Sequence, residues 1–178
     1  KELIALQTQR EADGFNNCGL YRHQYGGMRA FYGYCFFSDY DQFDVIQKKS
    51  QANGAMETAQ TYASHSDNLL HVQKRNLKTA PENLVFMTWK FGPFLTINER
   101  QERADVLFEA FDRAFGGCNQ YFHAWGPEMA HYVSCGFKDF VDFGKKDAAI
   151  NEIIAKELGN TKLDIKDHSD DLLVRIMD

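Results

Sequence analysis

One segment of this chain is specified as a helix at both ends and along its length. Thr96-Ile97-Asn98-Glu99 is a capping box, in which each side chain accepts a hydrogen bond from the other residue's backbone amide. Gly116-Gly117 supplies the glycine that commonly ends a helix. Between them, apolar residues recur at helical spacing: Ala104, Leu107, Phe108, Phe111 and Phe115. A helix with such a stripe must bury it, so the rest of the chain must supply a surface for it.

Segments rich in β-favouring residues lie on both sides of this helix. Tyr21 to Tyr25, followed by Gly26-Gly27, indicates a strand that enters a tight turn. The other predicted strands are Met28 to Phe37, Leu69 to Leu77, Leu84 to Phe91, Asn119 to Trp125 and Phe137 to Phe143. Strands and helices in this order predict an α+β fold, a two-layer mixed sheet with helices packed on it.

Further helices are predicted around this core. They are a peripheral amphipathic helix at residues 1–13, one beginning at Ser38-Asp39, a short one from Ala55 to about Ser64, another short one after Pro127, and two at Asp147 to Leu158 and Ser169 to Met177. The last two form a helical C-terminal segment, residues 145–178. We expect a single domain over residues 1–178, with its sheet within about residues 20–143. We find no internal repeat in the sequence.

The composition is that of a folded protein. Hydrophobic residues make up 44% of the 178 residues and charged residues 25%, which argues against extended disorder. The fifteen Phe and eight Tyr favour a core or an interface built on aromatic rings. We find no apolar stretch as long as the ~18–20 residues of a membrane span and no signal peptide, and we therefore expect a soluble protein.

The charge pattern argues against nucleic acid as a partner. The formal net charge is −5, whereas binding to phosphates requires excess cations. A local basic patch is formed by Lys74-Arg75 with Lys78. The aromatic strand from Met28 to Phe37 could stack on single-stranded bases, but Arg29 is its only cation and it has no RNP motif.

The four cysteines, Cys18, Cys35, Cys118 and Cys135, are widely spaced along the chain. In a chain long enough to build its own core, scattered cysteines are typical of buried free thiols. We therefore predict four reduced thiols and a cytoplasmic or organelle-matrix location.

The sequence Tyr132-Val133-Ser134-Cys135-Gly136-Phe137 fits the pattern Tyr-x-x-x-Gly-Phe and follows a predicted strand. Together with the elements before it, residues 84–143 resemble the GCN5-related N-acetyltransferase (GNAT) fold. The resemblance implies a GNAT-like sheet with a cleft between the strands Leu84 to Phe91 and Asn119 to Trp125. It also implies coenzyme A as the cofactor and Tyr132 as the general acid that protonates the departing thiolate.

The coenzyme A loop departs from the family pattern. Residues 98–104 contain no glycine and carry two carboxylates, Glu99 and Glu102, which would repel a pyrophosphate. We therefore expect a divergent or inactive GNAT-like protein that acts through contacts with a protein partner, and we assign no cofactor-binding residue. One alternative is a ferredoxin-like βαββαβ accessory subunit or interaction module. Another is an active acyltransferase with Tyr132 as its general acid.

A metal or thiol site near the same motif is a weaker alternative. On the short helix predicted after Pro127, His131 and Cys135 share a face at i, i+4, with Glu128 one turn earlier and His123 on the preceding strand. Zinc accepts these ligand types, but its usual sites have tighter paired spacings. We therefore predict no metal site, with His123, His131 and Cys135 as its only candidates. Cys135 with either histidine is also an alternative nucleophile and base.

Overall fold

A computed structural model of the chain describes residues 1–27, 29–53, 65–159 and 161–177. Its elements are, in chain order, α1 (Glu2–Asp13), β1 (Asn16–Tyr25), β2 (Phe31–Phe36), α2 (Tyr40–Ala52), β3 (Leu69–Arg75), β4 (Asn83–Phe91), α3 (Ile97–Phe115), β5 (Cys118–Trp125), β6 (His131–Phe137), α4 (Phe140–Ile153), a π-helical turn (Ile154–Leu158) and β7 (Ile165–Arg175). The helix predicted from Ala55 to Ser64 lies outside the described residues.

The seven strands are hydrogen-bonded in the order β2-β1-β7-β4-β6-β5-β3. β1 pairs with β2, β3 with β5, β4 with β6 and β5 with β6, in each case antiparallel. Helices pack on this sheet, so the predicted α+β class is confirmed. β6 lies between β4 and β5 and is hydrogen-bonded to both. The two strands between which the GNAT resemblance places a cleft are therefore not neighbours.

The chain forms two compact units. Unit 1 comprises Lys1–His23, Met28–His65 and Val174–Asp178, and contains α1, β2, α2 and most of β1. Unit 2 comprises Gln24–Gly27 and Ser66–Leu173, and contains β3 to β6, α3, α4 and most of β7.

The core of unit 2 is built on α3, as its sequence predicts. Thr96 Oγ1 accepts from the Glu99 amide at 3.2 Å, and Glu99 Oε2 accepts from the Thr96 amide at 2.8 Å. At the other end Gly116 adopts the left-handed conformation with φ +77°. The stripe residues Leu107 and Phe108 are 3% and 1% exposed and pack against the side chains of β4, β5 and β6. Both ends and the buried face of this helix are therefore confirmed.

Residues 131–137 form strand β6 and not the helix predicted after Pro127. Gly126, with φ +133°, and Pro127 form the turn between β5 and β6 rather than a helix start. The segment contains Tyr132, Val133 and Phe137, which favour strands, and hydrogen bonds to β4 and β5 satisfy its backbone on both edges. Tertiary pairing thus overrides the local helix signal.

The C-terminal third differs from prediction in two more places. Phe137 ends β6, and the segment predicted as a strand up to Phe143 begins helix α4, because Asp139 caps it by accepting from the Asp142 amide at 2.8 Å. Residues 169–175, predicted as a helix, belong to β7. A strand inserted between two others gains backbone hydrogen bonds on both sides, which local propensity does not register. The segment 145–178 is therefore only partly helical.

The prediction of four reduced thiols is wrong. Cys18 and Cys35 form one disulfide and Cys118 and Cys135 another, with Cα–Cα distances of 4.0 and 4.3 Å. Cys118 lies directly opposite Cys135 on the neighbouring strand, so strand pairing brings together residues that are distant in sequence. Disulfides are typical of oxidising compartments, which removes the thiol argument for a cytoplasmic or organelle-matrix location. None of the helices in the described ranges has the length and hydropathy needed to cross a membrane.

The expectation of no internal repeat is wrong, because the two disulfides belong to such a repeat. Residues 18–43 and 118–143 align without gaps at an offset of 100, and ten of the 26 positions are identical. The identical positions are Cys18/Cys118, Tyr21/Tyr121, His23/His123, Gly26/Gly126, Ala30/Ala130, Tyr32/Tyr132, Cys35/Cys135, Phe37/Phe137, Asp39/Asp139 and Phe43/Phe143. In both copies these residues span two antiparallel strands and the start of a helix.

Equivalent hydrogen bonds confirm that the two copies share a local structure. The His23 amide donates to Ala30 O at 3.0 Å, and the His123 amide donates to Ala130 O at 3.1 Å. Asp39 caps α2 as Asp139 caps α4, each accepting at 2.8 Å from the amide three residues later. The strand predicted for residues 28–37 and the helix predicted for residues 131–137 are therefore inconsistent with each other, and the strand is the correct prediction.

Two glycines provide a matched test of the helix assignments. Gly144 lies on the exposed side of α4 with no atom near the position of an added Cβ, so Gly144→Ala should raise the free energy of unfolding by about 1 kcal/mol. A Cβ on Gly116 would also meet no atom, but its positive φ should make Gly116→Ala destabilising by about 1 kcal/mol. Urea denaturation measures both changes. Equal signs at the two positions would contradict the assigned helix ends.

Candidate functional site

Unit 2 contains a cavity of about 350 Å³ between its two helices and the sheet, which we call the α3–α4 cavity. Its lining comes from β4, α3, α4, the π-helical turn, β7 and the turn after β1. The lining residues are Val85, Met87, Phe111, Phe115, Phe143, Asp147, Ile150, Asn151, Ile154, Asp170, Leu172, Tyr25 and Gly26. The alternation of β4 directs Val85 and Met87 to the helices, and the helical spacing of α3 directs Phe111 and Phe115 to the sheet.

The floor of the α3–α4 cavity is apolar and its rim is polar. Met87, Ile150 and Phe115 are 1%, 3% and 6% exposed, whereas Asp147, Asn151 and Asp170 are exposed. No lysine, arginine or histidine is among the lining residues. The cavity therefore offers an apolar interior and two carboxylates, without a cation of its own to neutralise them.

The Asp170 carboxyl has an altered acidity. Partial desolvation raises its pKa, the adjacent Asp171 raises it further, and His168 opposes this effect. The His168 ring lies 3.8 Å from the carboxylate, and about half of the Asp170 side chain is accessible. Asp171 is turned away from solvent, at 3% exposure, and accepts from the Gly27 amide. A cation placed beside Asp170 would relieve the cost of keeping its carboxylate ionised.

Tyr132, the candidate general acid, is not part of this cavity. It lies on β6 and is 1% exposed. Its hydroxyl donates to Glu128 O at 3.0 Å, and its ring stacks on Phe86 at 5.8 Å between centroids. The residues predicted to form a degenerate pyrophosphate loop, 98–104, lie within the first turns of α3. The structure therefore does not bring Tyr132 and this segment together in one open site.

His131 lies on the opposite face of β6 from Tyr132, because neighbouring residues of a strand alternate. It is 2% exposed, and its ring contacts Phe122 and Phe91 at centroid distances of 4.6 and 5.4 Å. Neither ring nitrogen has a hydrogen-bond partner among the described residues. Burial lowers the pKa of His131 to about 4; Asp105 opposes this and Arg100 adds to it. His131 is therefore a neutral core residue near pH 7.

The remaining metal and nucleophile candidates are separated. Since Phe122 lies opposite His131, His123 points to the other face of the sheet. Cys135 is in a disulfide and therefore offers no thiolate. His131 and Cys135 are four residues apart on a strand, about 13 Å along it, rather than one helical turn apart. Among the residues that the structure describes, no group of three His, Cys, Asp or Glu side chains could hold a metal ion.

The basic patch is partly neutralised within unit 2. Lys74 Nζ lies 3.5 Å from Asp105 and 3.8 Å from Glu109, and it also lies over the Phe108 ring. Lys74 therefore lies against the middle of α3.

Two comparisons with known proteins identify no relative of this chain. A scan against models of known protein families finds no match, and a search of curated proteins finds none either.

Only some of the residues that line the α3–α4 cavity could be predicted from the sequence. Phe111 and Phe115 stand out from their helical spacing, but spacing alone assigns them to the core. Asp147 and Asp170 come together at the rim because β7 is a strand beside β4, whereas the predicted C-terminal helix has no such neighbour.

Proposed function

We propose that unit 2 binds a small, largely apolar ligand that carries a basic nitrogen. The observation that carries the proposal is the α3–α4 cavity, with its buried apolar floor and a rim that holds Asp147 and Asp170 without a lining cation. Its volume lies near the lower end of the ~300–1,000 Å³ found for ligand sites. The ligand is therefore the size of a small aromatic or branched aliphatic amine.

The apolar part of the ligand supplies most of the binding free energy. Each Å² of apolar surface removed from water contributes roughly 25 cal/mol, and the aromatic rings of Phe111, Phe115 and Phe143 line the space. The basic nitrogen fixes the orientation, because an ammonium group can reach the rim carboxylates while the rest of the molecule stays inside.

A set of three indole compounds tests the charge preference. Tryptamine, tryptophol and indole-3-propionate share a ring and carry a cationic, a neutral and an anionic side chain. Calorimetric titration of the full chain should give affinities in that order, with tryptamine about tenfold tighter than tryptophol. In the double variant Asp147→Asn, Asp170→Asn the advantage of tryptamine should fall to less than twofold. Similar affinities of all three compounds for the wild-type chain would contradict the proposed ligand class.

A steric variant tests the location independently of charge. Asn151 is exposed at the cavity rim, so Asn151→Trp should block entry and weaken tryptamine binding at least tenfold without removing a core side chain. Lys145→Trp places the same ring on an exposed position of α4 that does not line the cavity, and it should bind tryptamine like the wild-type chain. Equal binding by both variants would place the ligand elsewhere.

Acetyl-coenzyme A, implied by the GNAT resemblance, serves as the comparison ligand in a thermal-shift assay, where a ligand at 100 times its Kd stabilises by ~2.7 kcal/mol.

A further inference from the structure

Strands β6 and β2 are equivalent in the two copies of the repeat, but they differ in the number of strands with which they pair. β6 is hydrogen-bonded to β5 on one side and to β4 on the other, in a register that runs from Asn83 opposite Phe137 to Trp89 opposite His131. Its counterpart β2 is paired with β1 and stands at the end of the strand order. Within the described ranges, no strand occupies the position on β2 that β4 occupies on β6.

The exposure of β2 matches this difference. Every residue of β6 except Gly136 is buried, whereas no residue of β2 is buried. Phe31, for example, is 45% exposed, against 2% for His131 at the equivalent position. An exposed strand edge with apolar side chains is a template for pairing with another chain, and folded proteins usually cover or charge such edges.

The hydrogen-bond pattern identifies which groups of β2 are open. Ala30 accepts from the His23 amide on β1. Because the backbone groups of a strand alternate between its two edges, Tyr32 and Tyr34 also bond to β1. The amides and carbonyls of Phe31, Gly33 and Cys35 then point to the outer edge. In β6 the residues equivalent to these three are the ones that bond to Trp89, Met87 and Val85 of β4.

Unit 1 also has a groove next to Phe31 of β2. The groove, of about 270 Å³, is lined by residues at the start of α1 together with Leu20, Phe31 and Ile176. In unit 2 the ring of Phe91, from β4, rests edge-on against His131 at 5.4 Å. A strand that pairs with β2 as β4 pairs with β6 would bring a side chain to the same place beside Phe31.

We propose that the outer edge of β2 is a docking site for an extended segment of a partner protein. The segment adds antiparallel to β2 and carries alternating apolar residues, like β4. It bonds to the backbone of Phe31, Gly33 and Cys35 and places an apolar ring in the groove beside Phe31. This site lies in unit 1 and does not depend on the ligand proposed for unit 2.

A peptide with the sequence of β4 is the probe for this site. We would add a peptide of residues 82–92, with two lysines appended for solubility, to the full chain and follow amide hydrogen exchange by NMR. The amides of Phe31, Gly33 and Cys35 should become at least tenfold more protected. The amides of Tyr32 and Tyr34, which already bond to β1, should change less than twofold. Protection of all five amides, or of none, would overturn the proposal.

Backbone methylation of the peptide provides a matched control. N-methyl groups at Val85, Met87 and Trp89 remove the donors that face β2 and should weaken binding at least tenfold. N-methyl groups at Leu84, Phe86 and Thr88 lie on the other edge and should weaken binding less than threefold. In the protein, Phe31→Lys should also weaken binding at least tenfold. Concentration-dependent dimerisation that protects the same amides without peptide would overturn the proposal in favour of a second copy as the occupant.

Discussion

Replacement of Cys118 and Cys135 together by alanine should lower the free energy of unfolding by about 3 kcal/mol. The disulfide closes a loop between residues 17 apart in sequence, and the chain-entropy model gives roughly 3 kcal/mol for a loop of this size. Both sulfurs are fully buried in the core of unit 2, so the folded state also loses packing contacts. Urea denaturation of the oxidised wild-type chain and the double variant measures the change.

The first copy of the repeat supplies the control for this prediction. Cys18 and Cys35 are also 17 residues apart, so replacing them by alanine should cost a similar amount if loop closure dominates. A cost confined to the second pair would instead assign the effect to core packing. Thiol titration of the unfolded, unreduced chain should find no free thiol, and four after reduction. A count of four before reduction would contradict both disulfides.

Acidification should destabilise the protein through His131 by about 3 kcal/mol between pH 7 and pH 4. In the unfolded chain an ordinary histidine takes up a proton near pH 6.5, whereas burial lowers the pKa of folded His131 to about 4. Between these values the unfolded state binds more protons, so stability falls as the pH falls. The difference of about 2.5 pKa units corresponds to roughly 3 kcal/mol at 1.36 kcal/mol per unit.

The variant His131→Phe isolates this effect. The equivalent residue of the first copy is Phe31, and a phenyl ring should fit between Phe91 and Phe122 without a titratable group. The free energy of unfolding of the variant should fall about 3 kcal/mol less than that of the wild-type chain over the same pH range. His71→Gln, at an exposed position on β3, controls for the loss of a histidine in general. An equal loss of stability in wild type and His131→Phe would show that His131 is not held neutral by burial.

The sequence predicts the ends of helices that are fixed by residues close to them in the chain. The capping box at Thr96 and the left-handed glycine at Gly116 act within a few residues of themselves, so the ends of α3 could be predicted from them. The start of α2 is another example, although its capping residue is Asp39 rather than Ser38. β6 and β7 could not be predicted in this way. Their backbone bonds are made with strands far away in sequence, and Pro127 before β6 and Ser169 within β7 gave competing helix signals.

The cavity and the disulfides depend on the same long-range pairing. Asp147 and Asp170 reach one rim only when residues 165–175 form a strand rather than a helix. Cys118 meets Cys135 only when residues 131–137 pair with β5. The offset of 100 between residues 18–43 and 118–143 was visible in the sequence, and it predicts that both segments share one structure. Because Met28 to Phe37 is predicted as a strand, this offset also predicts a strand that ends at Phe137.

Having two copies of one motif relaxes the constraints on each. The ten positions that both copies retain include those on which the motif itself depends: the paired cysteines, the turn glycine and the helix-capping aspartate. Positions outside that set have diverged. Asp147, Ile150 and Asn151 of the cavity correspond at the same offset to Gln47, Ser50 and Gln51, which offer neither the acidic rim nor the apolar floor. The ligand site that we propose in the second copy and the docking edge that we propose in the first can therefore change without loss of the motif that both copies share.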